Sequence, residues 1–570
     1  MFEKQRSSSP AARRALNRRA LIALAVVAAL FYFFLPASYY STPYPQHRYT
    51  QPHELHPKNY LRNLTKGDVQ PAPFEFCPVY GPGDALGLKY GSVGLGRSRL
   101  YTGTGTRVQR VVHKALSGLP VTISVLGGSI SSCHGAGDDP ISPRCYPARF
   151  FSWWNEMFPH PASELTNGAM RRTDSAYFSF CHALHLPDQT DLVILEFDAE
   201  DPNDPAWIDH FELLVRSILV RRDQPAVIIL GHFSPQIQGI HGFAGPELLH
   251  TLVAQFYDVP HISIKGMLYN TYVRQPDLIK KYYADPVLAN PAGHELLADA
   301  LIGYFQQQIC AGWASATGQS YDSLPFPLGG EMGVDPSPAD ARGIFGGVGL
   351  RRGDAGKNGE GDAPEGAGVD GGAMHAGDAH AGAEVAAGAG VPPAGAYGFL
   401  GVPQARMNDR PSEAARFREV EPFCVSANDL VNPLPPSLFY GSGWLAYHPA
   451  KGPGALSLTL EESRHYWYST LPTSKLRVQL KVGAGDIAVY YLMEPRTPDG
   501  KLNSSVRCWV DDNVKGAKLI NNAGDVDRST PSLRIIDHGV TRGSHFVECV
   551  LEGEEGKPVA PFKILGIFTT

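Results

Sequence analysis

The sequence predicts an α/β domain built on a parallel sheet, followed by an all-β sandwich and preceded by a membrane-spanning apolar helix. Three observations carry this expectation. Apolar strand-like runs alternate with helical stretches between residues 122 and 308. Short β-like runs separated by Gly, Asn, Asp and Pro fill residues 414–570. An uncharged apolar segment follows a basic leader at the N-terminus. The formal charge of −6 over 570 residues, with a pI near 6.4, argues against a nucleic-acid partner.

Lys4, Arg6, Arg13, Arg14, Arg18 and Arg19 precede Ala20–Leu35, which Pro36 ends. As a helix this segment spans roughly 24 Å, slightly short of a ~30 Å hydrocarbon core. The positive flank stays cytoplasmic, which predicts a basic tail over 1–19, a signal anchor over 20–36 and a Tyr/Pro/His-rich stalk over 37–75. The chain would then be a single-pass type II membrane protein of the secretory pathway, Golgi or cell surface, with its bulk lumenal or extracellular. A signal peptide cleaved after the apolar run, near Ala37-Ser38, is the alternative.

Residues 76–328 form the predicted α/β domain. Strands are expected at Thr122–Leu126, Asp191–Phe197, Ala226–Leu230 and Pro260–Ile264. Helices are expected at Arg149–Phe158, Ser175–Leu184, Trp207–Arg221, Pro246–Tyr257 and His294–Gln308. The run Phe150-Phe151-Ser152-Trp153-Trp154 reads as an apolar helix face, with a sugar-stacking platform as the alternative. Glu196, Asp198, Glu200, Asp201 and Asp204 crowd one strand end. Pro202 and Pro205 make this a solvated turn capping the next helix, in preference to an oxygen-ligand cation site.

Residues 329–413 are Gly/Ala/Asp-rich with few large apolar side chains, the composition of a flexible linker. In 414–570 the strand-like runs are Leu456–Leu460, Leu476–Val482, Ile487–Leu492, Arg507–Val510, Ser532–Asp537, Phe546–Leu551 and Phe562–Phe568. Trp444, Tyr447, Tyr466, Trp467 and Tyr468 are either core and cross-strand aromatics or a carbohydrate-stacking face. The eight cysteines are an even number, suited to an oxidising lumen. Cys133 with Cys145, and Cys508 with Cys549, are the expected disulfide pairs. Asn63-Leu64-Thr65 and Asn503-Ser504-Ser505 are glycosylation sequons. No CxxC pair, HExxH motif or phosphate loop occurs, so neither a metal nor a cofactor is expected.

The stretch that carries chemistry is Val121-Thr122-Ile123-Ser124-Val125-Leu126-Gly127-Gly128-Ser129-Ile130-Ser131. A buried strand ends in two glycines, which permit a sharp turn. Ser129 is left at the carboxyl edge of the sheet, where open α/β folds bind ligands. A helix starting near Ser131 would aim its first amides at an oxyanion there. The alternative is a turn whose serine only caps that helix.

This segment resembles block I of the SGNH (GDSL-like) hydrolases, with Gly128 where the family has Asp. Leu165-Thr166-Asn167-Gly168-Ala169 through Thr173-Asp174-Ser175-Ala176-Tyr177 is similar to block II, and Asp191–Phe197 with its following loop to block III. Asp285-Pro286-Val287-Leu288-Ala289-Asn290-Pro291-Ala292-Gly293-His294 is similar to block V. The resemblance implies a flavodoxin-like three-layer domain, Ser129 as nucleophile and Asp285 as the block V acid. The family histidine falls at Leu288, and the family's oxyanion asparagine at Glu200. The oxyanion glycine falls at Gly168 if the loop is aligned on Asn167, or at Arg172 if aligned on Thr173. The first alignment makes Gly168 and Asn167 the expected oxyanion residues.

Leucine cannot accept the serine proton, so a base must come from another histidine. His294 is the first candidate, His232 the second, and His134 is expected to face away. Two functions follow from the resemblance. One is a membrane-anchored serine esterase or acyltransferase acting on acyl esters such as those of cell-surface polysaccharide. The other is a catalytically inactive glycan-binding or scaffold protein. An ester or glycan is the ligand in either case.

Overall fold

The computed structural model describes residues 55–62, 70–317, 400–410, 417–435, 439–449, 462–496 and 503–570. The apolar segment Ala20–Leu35, the Asn63 sequon, most of the Gly/Ala-rich linker and the run Leu456–Leu460 lie outside these residues. Among the described residues, no helix is long and apolar enough to cross a membrane.

Six strands make the first sheet: β1 (Arg99–Tyr101), β2 (Thr122–Gly127), β3 (Glu164–Asn167), β4 (Leu192–Glu196), β5 (Ala226–Gly231) and β6 (His261–Ser263). Their order is β1-β6-β5-β4-β2-β3. β3 to β6 run parallel to β2, while β1 pairs antiparallel with β6 at one edge. The parallel part has the doubly wound order that switches direction beside the first strand, and β2 is that strand. The strands predicted from apolar runs are the central ones, whose every residue from Leu192 to Glu196 and from Ala226 to Gly231 is buried. β1 and β3 lack that signal: they are short and only partly covered.

Alternate residues of the strands feed two cores. Ile123, Val125, Ile194 and Ile228 pack with Val112, Phe150, Trp154, Leu301 and Phe305 from the helices Thr106–Leu116, Tyr146–Met157 and Pro291–Ala316. Phe150 and Trp154 are therefore core residues, not a sugar platform. Leu126, Val193, Leu195 and Val227 face the other way, against Tyr177, Phe178, Phe211, Leu214 and Val253 from Ser175–Cys181, Ile208–Leu219 and Pro246–Tyr257. The result is a helix–sheet–helix sandwich.

The C-terminal part is two antiparallel-dominated sheets, one centred on Gly485–Pro495 and Phe562–Thr569, the other on Lys475–Val482 and Gly543–Leu551. Lys475–Val482 alternates exposed and buried residues along its whole length. Val478, Val489, Val547, Ile564 and Trp467 fill the space between the sheets. Trp444, Tyr466 and Trp467 are buried, and Tyr447 stacks on Tyr466 across a strand pair with ring centroids 4.5 Å apart. These aromatics hold sheets together and do not form a stacking face.

Pro52–Thr570 is one compact unit. Tyr490 and Phe568 of the β domain pack into the same core as Tyr177 and Phe178. A disulfide joins Cys181 to Cys424, and Tyr177 Oη lies 2.8 Å from Ser426 Oγ. Arg216 forks onto Glu419 with both contacts at 2.7 Å.

All eight cysteines pair. Cys133 bonds Cys145 and Cys508 bonds Cys549; the sequence alone did not single out Cys77–Cys310 or Cys181–Cys424. Asn503 is half-buried at the approach to Ser505–Val510.

Candidate active site at the carboxyl edge of the sheet

Ser129 follows β2 at the carboxyl edge of the sheet and is 4 % exposed. The chain then runs through turns rather than a helix. Cys133 adopts a positive φ, and the Cys133–Cys145 disulfide closes the loop. The helix dipole expected behind the serine is therefore absent; Arg172 contributes instead. Its backbone N–H donates to Ser129 Oγ at 2.9 Å, and its φ of 50° is left-handed. That backbone conformation favours glycine. It identifies Arg172, rather than Gly168, as the block II position whose amide addresses the serine.

Gly168 and Asn167 do other work, which corrects their assignment as oxyanion donors. The Gly168 amide continues the sheet by donating to Val125 O, and a Cβ at Gly168 would strike His185 O at 2.2 Å. Asn167 Nδ2 donates to Ser131 O and Pro140 O, both at 2.8 Å, while its Oδ1 accepts from Ala169 N. Asn167 thus ties the disulfide loop to β3.

Glu200, where the sequence resemblance led to an expected amide donor, is an acceptor. Its Oε1 accepts the Ser129 backbone N–H at 2.9 Å. Its chain lies over Gly128, where an added Cβ would meet Glu200 Cγ at 2.1 Å. The two departures in blocks I and III therefore fit each other: glycine at 128 makes room for glutamate at 200. A carboxylate in this place occupies the Ser129 amide and would repel negative charge developing beside it.

No histidine bonds to Ser129 among the described contacts. His294 is fully buried; its Nδ1 faces Tyr146 N at 3.3 Å and its ring stacks on Tyr146. Burial, aided by His232 and Arg149, lowers its pKa to about 3. It packs the start of Pro291–Ala316, and the structure does not bring it to the serine; its assignment as base is corrected on that ground. His232 is also buried, with Nε2 2.9 Å from Val287 O, so it braces the block V loop. Asp285 is exposed, and its Oδ1 accepts from Val287 N and Leu288 N. It caps its own turn, with Leu288 packed against the core.

His134, expected to face away, instead lines a cleft of about 620 Å³ together with Ser132, Arg171, His185, Asn428 and Arg464. Its Nδ1 contacts Asp138 Oδ1. The cleft runs between the two domains beside the Ser129 turn. Arg464, from the β domain, reaches across it: Nη2 donates to Arg171 O at 2.5 Å and to Arg172 O at 3.1 Å, and contacts Thr173 Oγ1. The peptide that presents its N–H to Ser129 is thereby held from the other domain.

The acidic loop divides in two: residues 202–206 are exposed, as the expected solvated capping turn, while the part nearest the strand is buried. Glu196, Asp198 and Asp201 are buried, and only Asp204 caps as expected, accepting from Ala206 N. His250 joins Asp198 at 2.8 Å to Asp201 at 2.9 Å. Burial opposes its charge, yet the two carboxylates outweigh it and raise its pKa to about 10. Asp201 also accepts from Ser175 N at 2.7 Å, so this ion triad locks block III to the helix Ser175–Cys181. Glu196 lies beneath the serine turn, its Oε2 accepting from Ser131 Oγ at 3.0 Å. Burial, then repulsion from Asp198, lifts its pKa to about 8.

No protein-family model matches the chain, and no curated protein matches it in sequence. Among solved structures, a two-domain esterase active on acetylated mannans superposes with a TM-score of 0.50 at 16% identity, covering 83% of this chain and 98% of that one. An acetyl xylan esterase matches with a TM-score of 0.27 at 11% identity, over 32% of this chain and 98% of that one. A lipolytic protein of the G-D-S-L family from Veillonella parvula matches with a TM-score of 0.24 at 19% identity, over 33% of this chain and 99% of that one. At these identities the likeness is one of fold. The chain shares the fold of the two-domain esterase, and that match extends across both domains.

Proposed function

We propose that this chain is a carbohydrate-esterase-type protein directed at acylated glycans, and that its Ser129 site, as folded, holds an acyl-sugar rather than cleaving it. The glycan direction is supported by the likeness across both domains to an esterase active on acetylated mannans. The observation that carries the second half is Glu200 Oε1 on the Ser129 amide. Ester cleavage needs a base for the serine proton and donors for the oxyanion. Here Leu288 stands at the base's position, and a carboxylate takes one donor. The two losses reinforce each other, because triad and oxyanion hole act together.

A second reading is serine acyl chemistry, by hydrolysis or transfer. The Arg172 N–H on Ser129 Oγ favours it, and the His134–Asp138 pair on the same turn is the imidazole such chemistry would draw on. A fluorophosphonate probe separates the two readings, since labelling demands an activated serine. Retention of acetylated glycan without labelling supports the first; Ser129-dependent labelling with release of acetate replaces it by the second.

We also infer that the chain is anchored through Ala20–Leu35 with both domains on the lumenal or extracellular side. The basic leader supports this orientation, and four disulfides suit an oxidising compartment.

A further inference from the structure

Although the whole chain carries a formal charge of −6, arginines gather at the Ser129 cleft from both domains. Arg171 of the α/β unit and Arg464 of the β domain line it, and Arg172 and Arg528 stand next to them, near enough to act on one another's charge. Arg172 is held below the usual arginine range by burial and by the positive charges of Arg528, Arg171 and Arg464. Arg464 is 3 % exposed, yet its hydrogen-bond partners among the described residues are neutral. Its Nη2 serves two backbone carbonyls and a hydroxyl, and its Nη1 has no hydrogen-bond partner. Asp174 acts on Arg464 only from beyond ion-pair distance, and the unpartnered Nη1 side of a guanidinium fork suits a carboxylate or sulfate.

Asp138 and Glu200 offset part of the charge of Arg171, and Glu200 part of that of Arg172. Asp138 faces His134, Glu200 accepts from the Ser129 amide, and Asp429 accepts from Val431 N and Asn432 N. Asp138 and Asp429 spend their hydrogen bonds within their own turns, and Glu200 spends one on the Ser129 turn.

Resting on the glycan reading above, we propose that the cleft takes an anionic glycan, with a carboxylate or sulfate group of the sugar chain seated toward the Arg171, Arg172, Arg464 and Arg528 cluster. Ser132 and His134 of the turn that follows Ser129 line the cleft, so a bound chain would carry its acyl groups by the serine turn. The β domain, on this proposal, supplies half of the recognition charge as well as the brace for Arg172.

The test is affinity electrophoresis of the full chain in mild detergent through gels containing polygalacturonate, a sulfated galactan or neutral acetylated glucomannan. Retardation by at least one anionic glycan about tenfold stronger than by the neutral one, and weakened as salt rises to about 0.15 M, is the expected result. The carboxylate and sulfate arms assign the group. Arg528→Ala, at an exposed position, and Arg171→Ala should each weaken retention several-fold; Arg464→Gln should do so where it folds. Equal retention by neutral glucomannan, equal retention by polyglutamate, or unchanged binding in Arg528→Ala and Arg171→Ala overturns the proposal while leaving the glycan reading standing. Retention by none of the polysaccharides overturns both.

Discussion

Glu200 Oε1 lies 2.9 Å from the backbone nitrogen of Ser129 and accepts its N–H. The same side chain runs over Gly128, which has no Cβ to obstruct it. The contact makes a specific expectation possible. Glu200→Asn alone should free the amide yet leave the serine inert, because Leu288 still offers no base. Leu288→His alone should also stay inert, since the carboxylate remains in place. The double variant should gain measurable hydrolysis of a small acetyl ester, with the oxyanion donor contributing on the order of 100-fold. A steady-state assay with Ser129→Ala in the same background checks it. Full activity in Leu288→His alone would show that Glu200 does not block the site.

Ser129, Asp285, Leu288 and Glu200 could be placed from the order of the blocks, because each is fixed by a neighbouring strand end or turn. Arg172 could not be chosen over Gly168 by counting, since both alignments of the loop were admissible. Only its left-handed backbone and its contact with Ser129 Oγ decide. His250 was invisible for a different reason: its partners lie 52 and 49 residues away, and nothing local marks a helix residue as the bridge between two carboxylates. Without that bridge, Asp198 and Asp201 look like an ordinary solvated turn. The edge strands β1 and β3 escaped because half-covered short strands lack the continuous apolar run that exposed β4 and β5 to inspection.

His294 separates packing from catalysis. It is fully buried against Tyr146, so His294→Ala should cost about 2–4 kcal/mol, the range for truncating a large core side chain. Glycan retention per folded molecule should be unchanged. Its folded pKa of about 3 is depressed by burial, so its stabilising effect is present above about 6.5 and is lost as pH falls through that window. His182, His185, His232 and His261 are depressed in the same direction, chiefly by burial. Thermal melts should therefore show the wild type losing stability between pH 6 and 4, within a range of about two units. The His294→Ala variant should show a shallower loss over that range. An unchanged slope would mean that His294 is protonated in the folded protein.

Glu196 carries the opposite sign. Its folded pKa of about 8 is raised by burial and by Asp198, so its contribution is present below about 4.5 and lost as pH rises through 8. Glu196→Gln mimics the protonated form and keeps an acceptor for Ser131 Oγ. The variant should gain stability over wild type as pH is raised from about 5 to 9, by a few kcal/mol at most. Denaturant melts at the two pH values measure this directly. A wild-type advantage that grows with pH would show that the carboxylate is charged and paired.

The anchor is tested by orientation. A protease acting on intact secretory vesicles should remove a tag at Met1 and spare one at Thr570, as the basic leader before Ala20 requires. A protected N-terminal tag would reverse the orientation, and a mature chain starting near Ser38 would show a cleaved signal instead.

The two domains should behave as separable chains held by one covalent link. The Gly/Ala-rich composition between residues 329 and 399 predicts protease sensitivity there. Residues 400–410 should resist, because Arg216 Nη1 donates to Pro403 O at 2.7 Å, Met407 N donates to Glu212 and Asn408 bonds Asp209. Cleaved chain should run as one species on a non-reducing gel through Cys181–Cys424 and as two after reduction. In Cys181→Ser the fragments should separate under denaturing conditions without reductant. They should still co-elute in native buffer, because the Arg216–Glu419 fork, the Tyr177–Phe568 packing and the Arg464 contacts remain. Dissociation of the native Cys181→Ser fragments would show that the disulfide alone holds the β domain against Arg172. The brace on the serine amide would then depend on redox state, and glycan retention by the cleaved variant should fall with it.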